Sequence, residues 1–465
     1  MDLSHDSHYG RRAPGPARTG RRIRSAPVPV SPTFRDLILT FARIGILSFG
    51  GAAGQIAMMH RIVVDEKKWL DEQRYLHALN YCMLLPGPEA QQLATYIGWL
   101  THGVRGGLVA GILFVLPGSL IMLALSFLYA LGTGTTLVDG VFLGIKAAVL
   151  AIVIQALIKI AKRGLKGPLP YGLAAAAFLL ILLFDLPFPL IILGAGIAGA
   201  LAAAFTPRLM GYGSEPPAVQ PAPALPSGAA ARAFRTALAC LAVWWAPVVI
   251  AVLLLGPGHV LVDIGLFFSK LAVITFGGAY AVLAYLAQAG VDMGWATPRQ
   301  MIDGLGLAET TPGPTILVNQ FVGFLAALKD GGGMPPLVAA SLGALMATWV
   351  TFAPSFLWIF AGAPFVEGLR RNAALAAALT GITAAVVGVI AYVAVWFGLN
   401  VLFASATRVS EGWLHFVRVD PSSLDPAAAL LSALALALVF GAKRGMMETV
   451  GLMAALGVAI KLLFP

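Results

Sequence analysis

Charged residues are scarce in this sequence. Of its 465 residues, 11% are Asp, Glu, Lys or Arg, whereas 59% are hydrophobic, and the mean hydropathy is +0.86. A soluble protein carries about 25% charged residues, and no soluble core could hide this much apolar sequence. Apolar runs near or above roughly 18 residues recur along the chain. The composition therefore excludes a soluble globular protein and predicts an all-α polytopic membrane protein.

Cysteines and catalytic motifs are also rare. The two cysteines, Cys82 and Cys240, lie in apolar segments and form neither a metal-ligand spacing nor a disulfide framework. The sequence has no nucleotide-binding loop, no GxSxG, no HExxH and no clustered His or Cys. The stretch 194–199 fits GxGxxG but lies in an apolar helix, where small residues favour close helix packing. We therefore expect no enzyme, no catalytic residues, no cofactor and no metal.

The net charge of +10 lies mostly in the N-terminal tail and short loops. Positive charge there sets membrane topology and does not indicate nucleic-acid binding. Residues 1–33 are basic and Pro-rich with no apolar run, which predicts a disordered cytoplasmic tail and no cleaved signal peptide. A twin-arginine signal at Arg11-Arg12 or Arg21-Arg22 is the weaker alternative. The N-terminus is expected in the cytoplasm.

The apolar runs predict about thirteen transmembrane helices. The domains expected are a first repeat over 34–205, a Pro-rich cytoplasmic linker over 206–235, a linking helix over 236–260 and a second repeat over 261–465. The polar stretch 405–425 should lie outside the membrane or on its surface. The loop 60–77 is open: it either faces out as a near-neutral loop, or the first two segments are re-entrant and it faces in.

An internal repeat supports this division. The phrase Phe41-Ala-Arg-Ile-Gly-Ile-Leu-Ser-Phe-Gly-Gly51 returns in similar form from Phe268 to Gly278, at an offset of 227 residues. Leu85-Pro-Gly-Pro88 returns as Thr311-Pro-Gly-Pro314, and Gly144 to Val149 returns as Gly381 to Val386. Each half then holds six segments, and the single segment between them inverts the second half. The sequence therefore predicts two inverted six-helix repeats.

The repeated Gly-Gly and Pro-Gly-Pro motifs should break their helices. Proline removes a backbone donor and glycine loosens a helix, so each break should expose N–H groups that attract an anion; a packing kink is the alternative. The predicted substrate site combines these breaks with buried cations, hydroxyls and amides. It comprises Arg43, Ser48, Gly50, Gly51, Pro86, Gly87, Pro88, Gln92, Lys270, Thr275, Gly277, Gly278, Pro312, Gly313, Pro314 and Asn319.

Alternatives remain for several of these residues. Arg43 and Lys270 could snorkel to the interface, and Ser48 and Thr275 could bond to their own helices. Glu89 either complements a helix dipole or serves as a proton or cation coupling site. Lys146 is either a third anion ligand or a structural counter-ion.

These motifs resemble the chromate transporter family. The resemblance rests on the phrase ending at Gly51, on the run from Trp69 through Pro86-Gly-Pro-Glu-Ala-Gln-Gln to Gly98, and on the second-half copies of both breaks. It covers about 34–464 and is similar to the long, two-domain members. It implies a bacterial inner-membrane protein that exports chromate and confers chromate resistance.

The expected partners are chromate or sulfate and the lipid bilayer, with a homodimer as a further alternative and no nucleic acid. A secondary transporter working by alternating access is the leading hypothesis. A sulfate or other oxyanion transporter or exchanger, or an anion channel on the same scaffold, is the alternative.

Overall fold

The computed structural model describes residues 32–49, 51–132, 134–206, 209, 228–275, 285–286, 289–362, 373–411 and 413–464. Long helices dominate. Seven of the helices in these ranges are long and apolar enough to cross a membrane, and three shorter apolar helices accompany them. An all-α membrane protein is confirmed at this level.

The helices follow the apolar runs of the sequence. The first half contains α1 (Phe34–Leu47), α2 (Gly51–His60), a π-helical turn (Arg61–Glu66), α3 (Glu72–Cys82), α4 (Glu89–Gly132), α5 (Thr136–Gly164), α6 (Pro168–Phe184) and α7 (Phe188–Phe205). Then come α8 (Ala229–Leu255), α9 (Val260–Ile274), α10 (Pro298–Thr310), a 3₁₀ turn (Thr315–Leu317), α11 (Val318–Lys329), α12 (Pro336–Gly362) and α13 (Ala373–Leu402). The C-terminal part contains β1 (Ala406–Glu411), β2 (Leu414–Val419), a 3₁₀ turn (Pro421–Ser423), α14 (Pro426–Leu436), a π-helical turn (Ala437–Gly441) and α15 (Met446–Leu463).

Both Pro-Gly-Pro motifs interrupt helices, as the sequence predicts. The segment 78–100 is divided into α3 and the start of α4, and the segment 304–328 is divided into α10 and α11. Gly87 has φ of 111° and Gly313 has φ of 105°, backbone conformations that side-chain-bearing residues rarely adopt. The equivalent helices α3 and α10 also start alike, with Asp71 and Thr297 as their N-caps. The two repeats thus break at matching positions.

Helix α4 is a hairpin of two arms. Its backbone leaves the helical region at His102 and Gly103, and a Cβ at Gly98 would overlap the carbonyl oxygen of Gly106. Residues eight apart in a straight helix would be about 12 Å apart, so the chain must fold back between them. The predicted segments 78–100 and 104–130 are therefore separate at this turn. Gly323 and Gly343 pack in the same way between α11 and α12.

The second arm of α4 and helix α12 run in opposite directions. Gly107 contacts Phe360, whereas Gly111, further along α4, contacts the earlier Phe356. The turn at His102 lies beside Phe34, with ring centroids 5.5 Å apart, and we call this end of the molecule the N-terminal face. At the far end, which we call the opposite face, the glycine turn before α12 contacts His259 at the start of α9.

The loop after α2 lies at the N-terminal face. Lys67 lies within electrostatic range of Asp36 in the first turn of α1, and Glu66 contacts Arg43, with 3.9 Å between Nη1 and Oε2. The chain therefore returns between α1 and α3 to the side where α1 begins. Of the two alternatives for the loop 60–77, the structure favours the re-entrant one.

A second group of helices packs around these broken ones. Small residues of α7 meet α13: a Cβ at Gly199 would overlap the carbonyl oxygen of Ala377, and Gly196 packs on Ile382. Gly196 and Gly199 of the stretch 194–199 therefore serve helix packing. Gly140 and Gly144 of α5 pack equally closely on α15.

The stretch 405–425 contains an antiparallel hairpin, in which Ala406 pairs with Val419 and Glu411 with Leu414. The sequence predicts a polar extramembrane stretch here and no strands. The β-branched and aromatic residues of Leu414–Val419 favour a strand. Its exposed Trp413 stacks on Phe184, with ring centroids 5.3 Å apart.

Candidate functional site

The two helix breaks dock on each other's repeat. The N–H of Gly313 donates to the carbonyl oxygen of Ser48 at 2.7 Å, and the N–H of Gly87 donates to the carbonyl oxygen of Thr275 at 2.8 Å. Ser48 and Thr275 are equivalent positions of the repeated phrase, and Gly87 and Gly313 are equivalent positions of the Pro-Gly-Pro motif. Each repeat therefore supplies the end of one helix to the break of the other.

Close packing supports the same reciprocal arrangement. Gly118, on the second arm of α4, lies against the carbonyl oxygen of Pro312, where a Cβ would overlap it. Ser355 occupies the equivalent position on α12, and its hydroxyl would lie 3.7 Å from a Cβ at Gly87. Gly51, at φ of 67°, approaches Thr315 just after the second break. The breaks thus meet at one place in the core.

Amide side chains surround this meeting point. Gln55 Nε2 donates to the carbonyl oxygen of Gly313 at 2.6 Å and to that of Ser48 at 3.3 Å. Gln92 Nε2 donates to the carbonyl oxygen of Pro86 at 2.6 Å. Both side chains are fully buried. They bind carbonyl groups that the broken helices leave without an intrahelical partner.

Several buried polar atoms in this region have no hydrogen-bond partner among the described residues. They are Gln55 Oε1, both side-chain polar atoms of Gln91, Gln92 Oε1, Asn319 Oδ1, Gln320 Oε1 and Ser355 Oγ. A native core leaves few polar atoms unpaired, and those that remain indicate a role beyond packing. The cluster therefore has the capacity to bind a polar ligand.

The hydroxyls predicted as anion donors bond to their own helices. Ser48 Oγ donates to the carbonyl oxygen of Ile44 and Thr275 Oγ1 to that of Leu271, both at 2.6 Å. This is the back-bonding alternative. Asn319 is buried and its Nδ2 lies 3.2 Å from Thr351 Oγ1. Pro88 and Pro314 are buried beside their breaks, and Glu89 is half-buried in the first turn of α4.

The two predicted cations lie apart from this cluster. The side chain of Arg43 is 57% exposed and contacts Glu66, and Lys270 is exposed, with Nζ 6.0 Å from the ring centroid of Tyr285. The structure therefore does not bring Arg43 and Lys270 together with the buried amides. Gly50, Gly277 and Gly278 lie outside the described residues.

Lys146 pairs with a residue that the sequence analysis missed. Its Nζ lies 2.9 Å from Asp303 Oδ1, as the counter-ion alternative requires. Gln55, Asp303 and Glu309 were also absent from the predicted site, although all three are buried. Gln55 is a lone polar residue in an apolar stretch, which is a signal that the sequence offered.

The fold and the breaks define a class: a multi-pass helical membrane protein whose interrupted helices meet in a buried polar cluster. Comparison with known proteins gives the family. The family model described as "Chromate transporter" matches residues 35–200 and 262–460. The chain belongs to the chromate transporter family.

Individual relatives agree with the family match. The chain is 32% identical to the chromate transport protein of Pseudomonas aeruginosa over 80% of this chain and 82% of that protein. It is 29% identical to the chromate transport protein of Cupriavidus metallidurans, over 78% and 82%. It is 29% identical to the probable chromate transport protein of Synechococcus elongatus, over 79% and 85%. No solved structure gives a significant match.

Proposed function

We propose that this protein exports chromate across the bacterial inner membrane by alternating access and so confers chromate resistance. The observation that carries the proposal is the reciprocal docking of the two Pro-Gly-Pro breaks inside a shell of buried amides. Membership of the chromate transporter family supports chromate as the cargo. Inverted repeats with broken helices at their interface are a known architecture of secondary transporters.

The topology proposed is two inverted six-helix repeats joined by α8, with the N-terminus in the cytoplasm. Three findings support it: the antiparallel course of α12 and the second arm of α4, the reciprocal hydrogen bonds of the breaks, and the matching caps of α3 and α10. Thirteen apolar segments remain the predicted number, but the re-entrant course of the first two means that fewer than thirteen of them cross the membrane. A homodimer is compatible with this arrangement.

The substrate site is proposed at the meeting point of the breaks. Its proposed donors are the helix ends at Gly51, Gly87 and Gly313 and the side-chain NH₂ groups of Gln55, Gln91, Gln92 and Asn319. The N–H groups of Gly87 and Gly313 and those of Gln55, Gln92 and Asn319 donate to protein oxygens in this structure, so they would exchange those partners for the anion. Neutral amides and helix dipoles bind a tetrahedral dianion without burying a cation. Arg43 and Lys270, whose side chains are exposed, are proposed to attract anions electrostatically toward the site. Glu89 remains the proposed coupling residue beside the first break.

The membrane potential favours export. An inside-negative potential lowers the free energy of two leaving negative charges by about 4.6 kcal/mol per 100 mV, which equals about three decades of concentration ratio. Chromate efflux therefore needs no ATP. Sulfate has the same shape and charge, so a sulfate or other oxyanion transporter or exchanger is the alternative cargo assignment.

Flux measurements in proteoliposomes test the proposal. Labelled chromate and sulfate are followed across a range of potentials, with the unlabelled anion on the far side. We expect saturable chromate flux that rises with the outward driving potential and is stimulated from the trans side. Ohmic single-channel currents would contradict the carrier mechanism and favour an anion channel, and a preference for sulfate would reassign the cargo.

A further inference from the structure

Helix α10 carries two buried carboxylates. Within the described part of the chain, Asp303 and Glu309 are the charged residues with buried side chains, at 3% and 1% exposure. The helix has 13 residues and is buried on every side from Met301 to Glu309. Charges in such surroundings are costly and usually functional.

Asp303 forms a triad with residues from two other helices. Its Oδ1 lies 2.9 Å from Lys146 Nζ of α5, and its Oδ2 accepts a hydrogen bond of 2.9 Å from the hydroxyl of Tyr129 at the end of α4. Lys146 and Tyr129 belong to the first repeat and Asp303 to the second. The triad therefore links the two repeats through one proton-binding carboxylate.

Apolar groups surround the triad. The ring of Tyr129 packs edge-on against Phe142 and Phe321, with both centroid distances at 5.1 Å. Ile145 fills the space beside Gly306, where a Cβ would overlap it. Water is largely excluded, since Lys146 is 14% and Asp303 5% exposed at the side chain.

The triad occurs once in a chain that is otherwise duplicated. At the repeat-equivalent positions, Thr383 replaces Lys146 and His77 replaces Asp303. A buried ion pair adds little or nothing to stability compared with apolar residues. A purely architectural contact would be expected in both repeats, so its single occurrence favours a functional role.

We propose that Asp303, with Lys146 and Tyr129, is a proton-binding site that is thermodynamically linked to oxyanion binding. This inference rests on the proposed transport function. When Asp303 takes up a proton, Lys146 becomes a buried cation without a counter-charge, which is unfavourable. An oxyanion in the neighbouring cluster supplies the missing negative charge, because Asp303 lies seven residues before the end of α10 at Thr310, about 10 Å of helix, and Pro312 follows two residues later.

Linkage makes the effect reciprocal: oxyanion binding favours protonation of Asp303 to the same extent. The proton comes from solvent and adds to the carboxylate oxygen that faced Lys146. A dianion that moves with this proton carries one net negative charge instead of two. Each protonated cycle should therefore respond to the pH gradient as well as to the potential.

Among the residues that the structure describes, few other charged groups act on the triad. Asp139 of α5 and Arg299 of α10 lie within electrostatic range, and both are exposed. Helix α11 presents the ring of Phe321 here and has its Lys329 bound to the carbonyl oxygen of Gly294. Helix α13, which packs lightly on α10, carries Tyr392 as its titratable side chain.

The test is the number of protons taken up per anion bound. Calorimetry of sulfate or chromate binding to the purified full chain, in buffers of different ionisation enthalpy, measures this number at a pH where the free anion is deprotonated. We expect wild-type protein to take up close to one proton. The double variant Asp303→Asn/Lys146→Gln removes both charges and should bind the anion without proton uptake.

Two further variants sharpen the result. Tyr129→Phe removes a hydrogen bond that stabilises the ionised carboxylate, so proton uptake should persist to higher pH. Asp263→Asn changes an exposed carboxylate in the first turn of α9 and should leave proton uptake unchanged.

Three outcomes overturn the inference. Anion binding without proton uptake in the wild type removes the linkage, and unchanged proton uptake in the double variant places the proton elsewhere. If the double variant does not fold, flux measurements on the wild type decide. A flux that does not change with a pH gradient, and a reversal potential that corresponds to two charges per anion, would reject the site. Absence of any oxyanion binding by the wild type is different, because it refutes the proposed function itself.

Discussion

Replacement of Gln55 by leucine tests the amide shell at the helix breaks. Gln55 is fully buried and donates two hydrogen bonds to backbone carbonyls on either side of the meeting point. Leucine has a similar size but no donor. The substitution therefore removes the hydrogen bonds and leaves the packing nearly intact.

The expected magnitude follows from the partners that remain. The carbonyl oxygen of Ser48 keeps its bond from the N–H of Gly313 at 2.7 Å, whereas the carbonyl oxygen of Gly313 loses the amide of Gln55. One unpaired buried carbonyl costs about 1–3 kcal/mol, which equals about a 5- to 150-fold change in an equilibrium constant. We expect the free energy of unfolding to fall by this amount, and oxyanion affinity and flux to fall with it.

The assay compares matched variants in detergent and in proteoliposomes. Gln92→Leu removes the corresponding donor to Pro86 in the first break and should lose a similar amount. Gln73→Leu changes an exposed glutamine of α3 and should behave as wild type. If Gln55→Leu matches the wild type in both unfolding and flux, the shell does not support the breaks and the proposed site is refuted.

Three other predictions use separate features. Gly118→Ala should abolish most flux, measured in proteoliposomes, because its methyl group overlaps a carbonyl of the second Pro-Gly-Pro break; flux near the wild-type rate would show that the contact opens freely. Arg43→Ala and Lys270→Ala should each insert normally but lose most flux at low ionic strength. The loss should be smaller at high salt, where exposed charges are screened. Normal flux in both variants would show that these cations do not attract the anion. The variants Lys67→Cys and Thr135→Cys should react with an impermeant maleimide added on opposite sides of the membrane. Labelling of both from the same side would contradict the re-entrant loop.

Much of the fold is predictable from the sequence because hydropathy and helix breakers act locally. The runs at 336–362 and 189–205 match α12 and α7 closely, and each Pro-Gly-Pro motif interrupts its helix. The turn at His102–Gly103 also falls between two predicted segments. The β-hairpin of 406–419 was missed because its two strands have six residues each and lie beside helical sequence.

The candidate site was harder to predict because it depends on helix orientation and on the other repeat. Buried residues of α1 include Phe41 and Ile44, and Arg43 is rotated about 200° from Phe41 at 3.6 residues per turn. The helix phase thus places Arg43 on the exposed side of α1, a signal that the prediction from sequence did not use. Asp303 pairs with Lys146 across 157 positions of sequence, and no local pattern reveals such a partner.

The exceptions to the repeat bear on the direction of transport. If the two repeats exchange conformations during the cycle, identical repeats would make the inward- and outward-facing states equal in energy. Residues that occur in one repeat alone make the states unequal, and these include Glu89 opposite Thr315 and the pair of Lys146 with Asp303. Both introduce charge, which responds to potential and pH, whereas the reciprocal breaks are neutral. The part of the molecule that is equivalent in both repeats therefore suits passage of the anion. The charges that occur in one repeat alone suit the coupling of transport to membrane potential and pH.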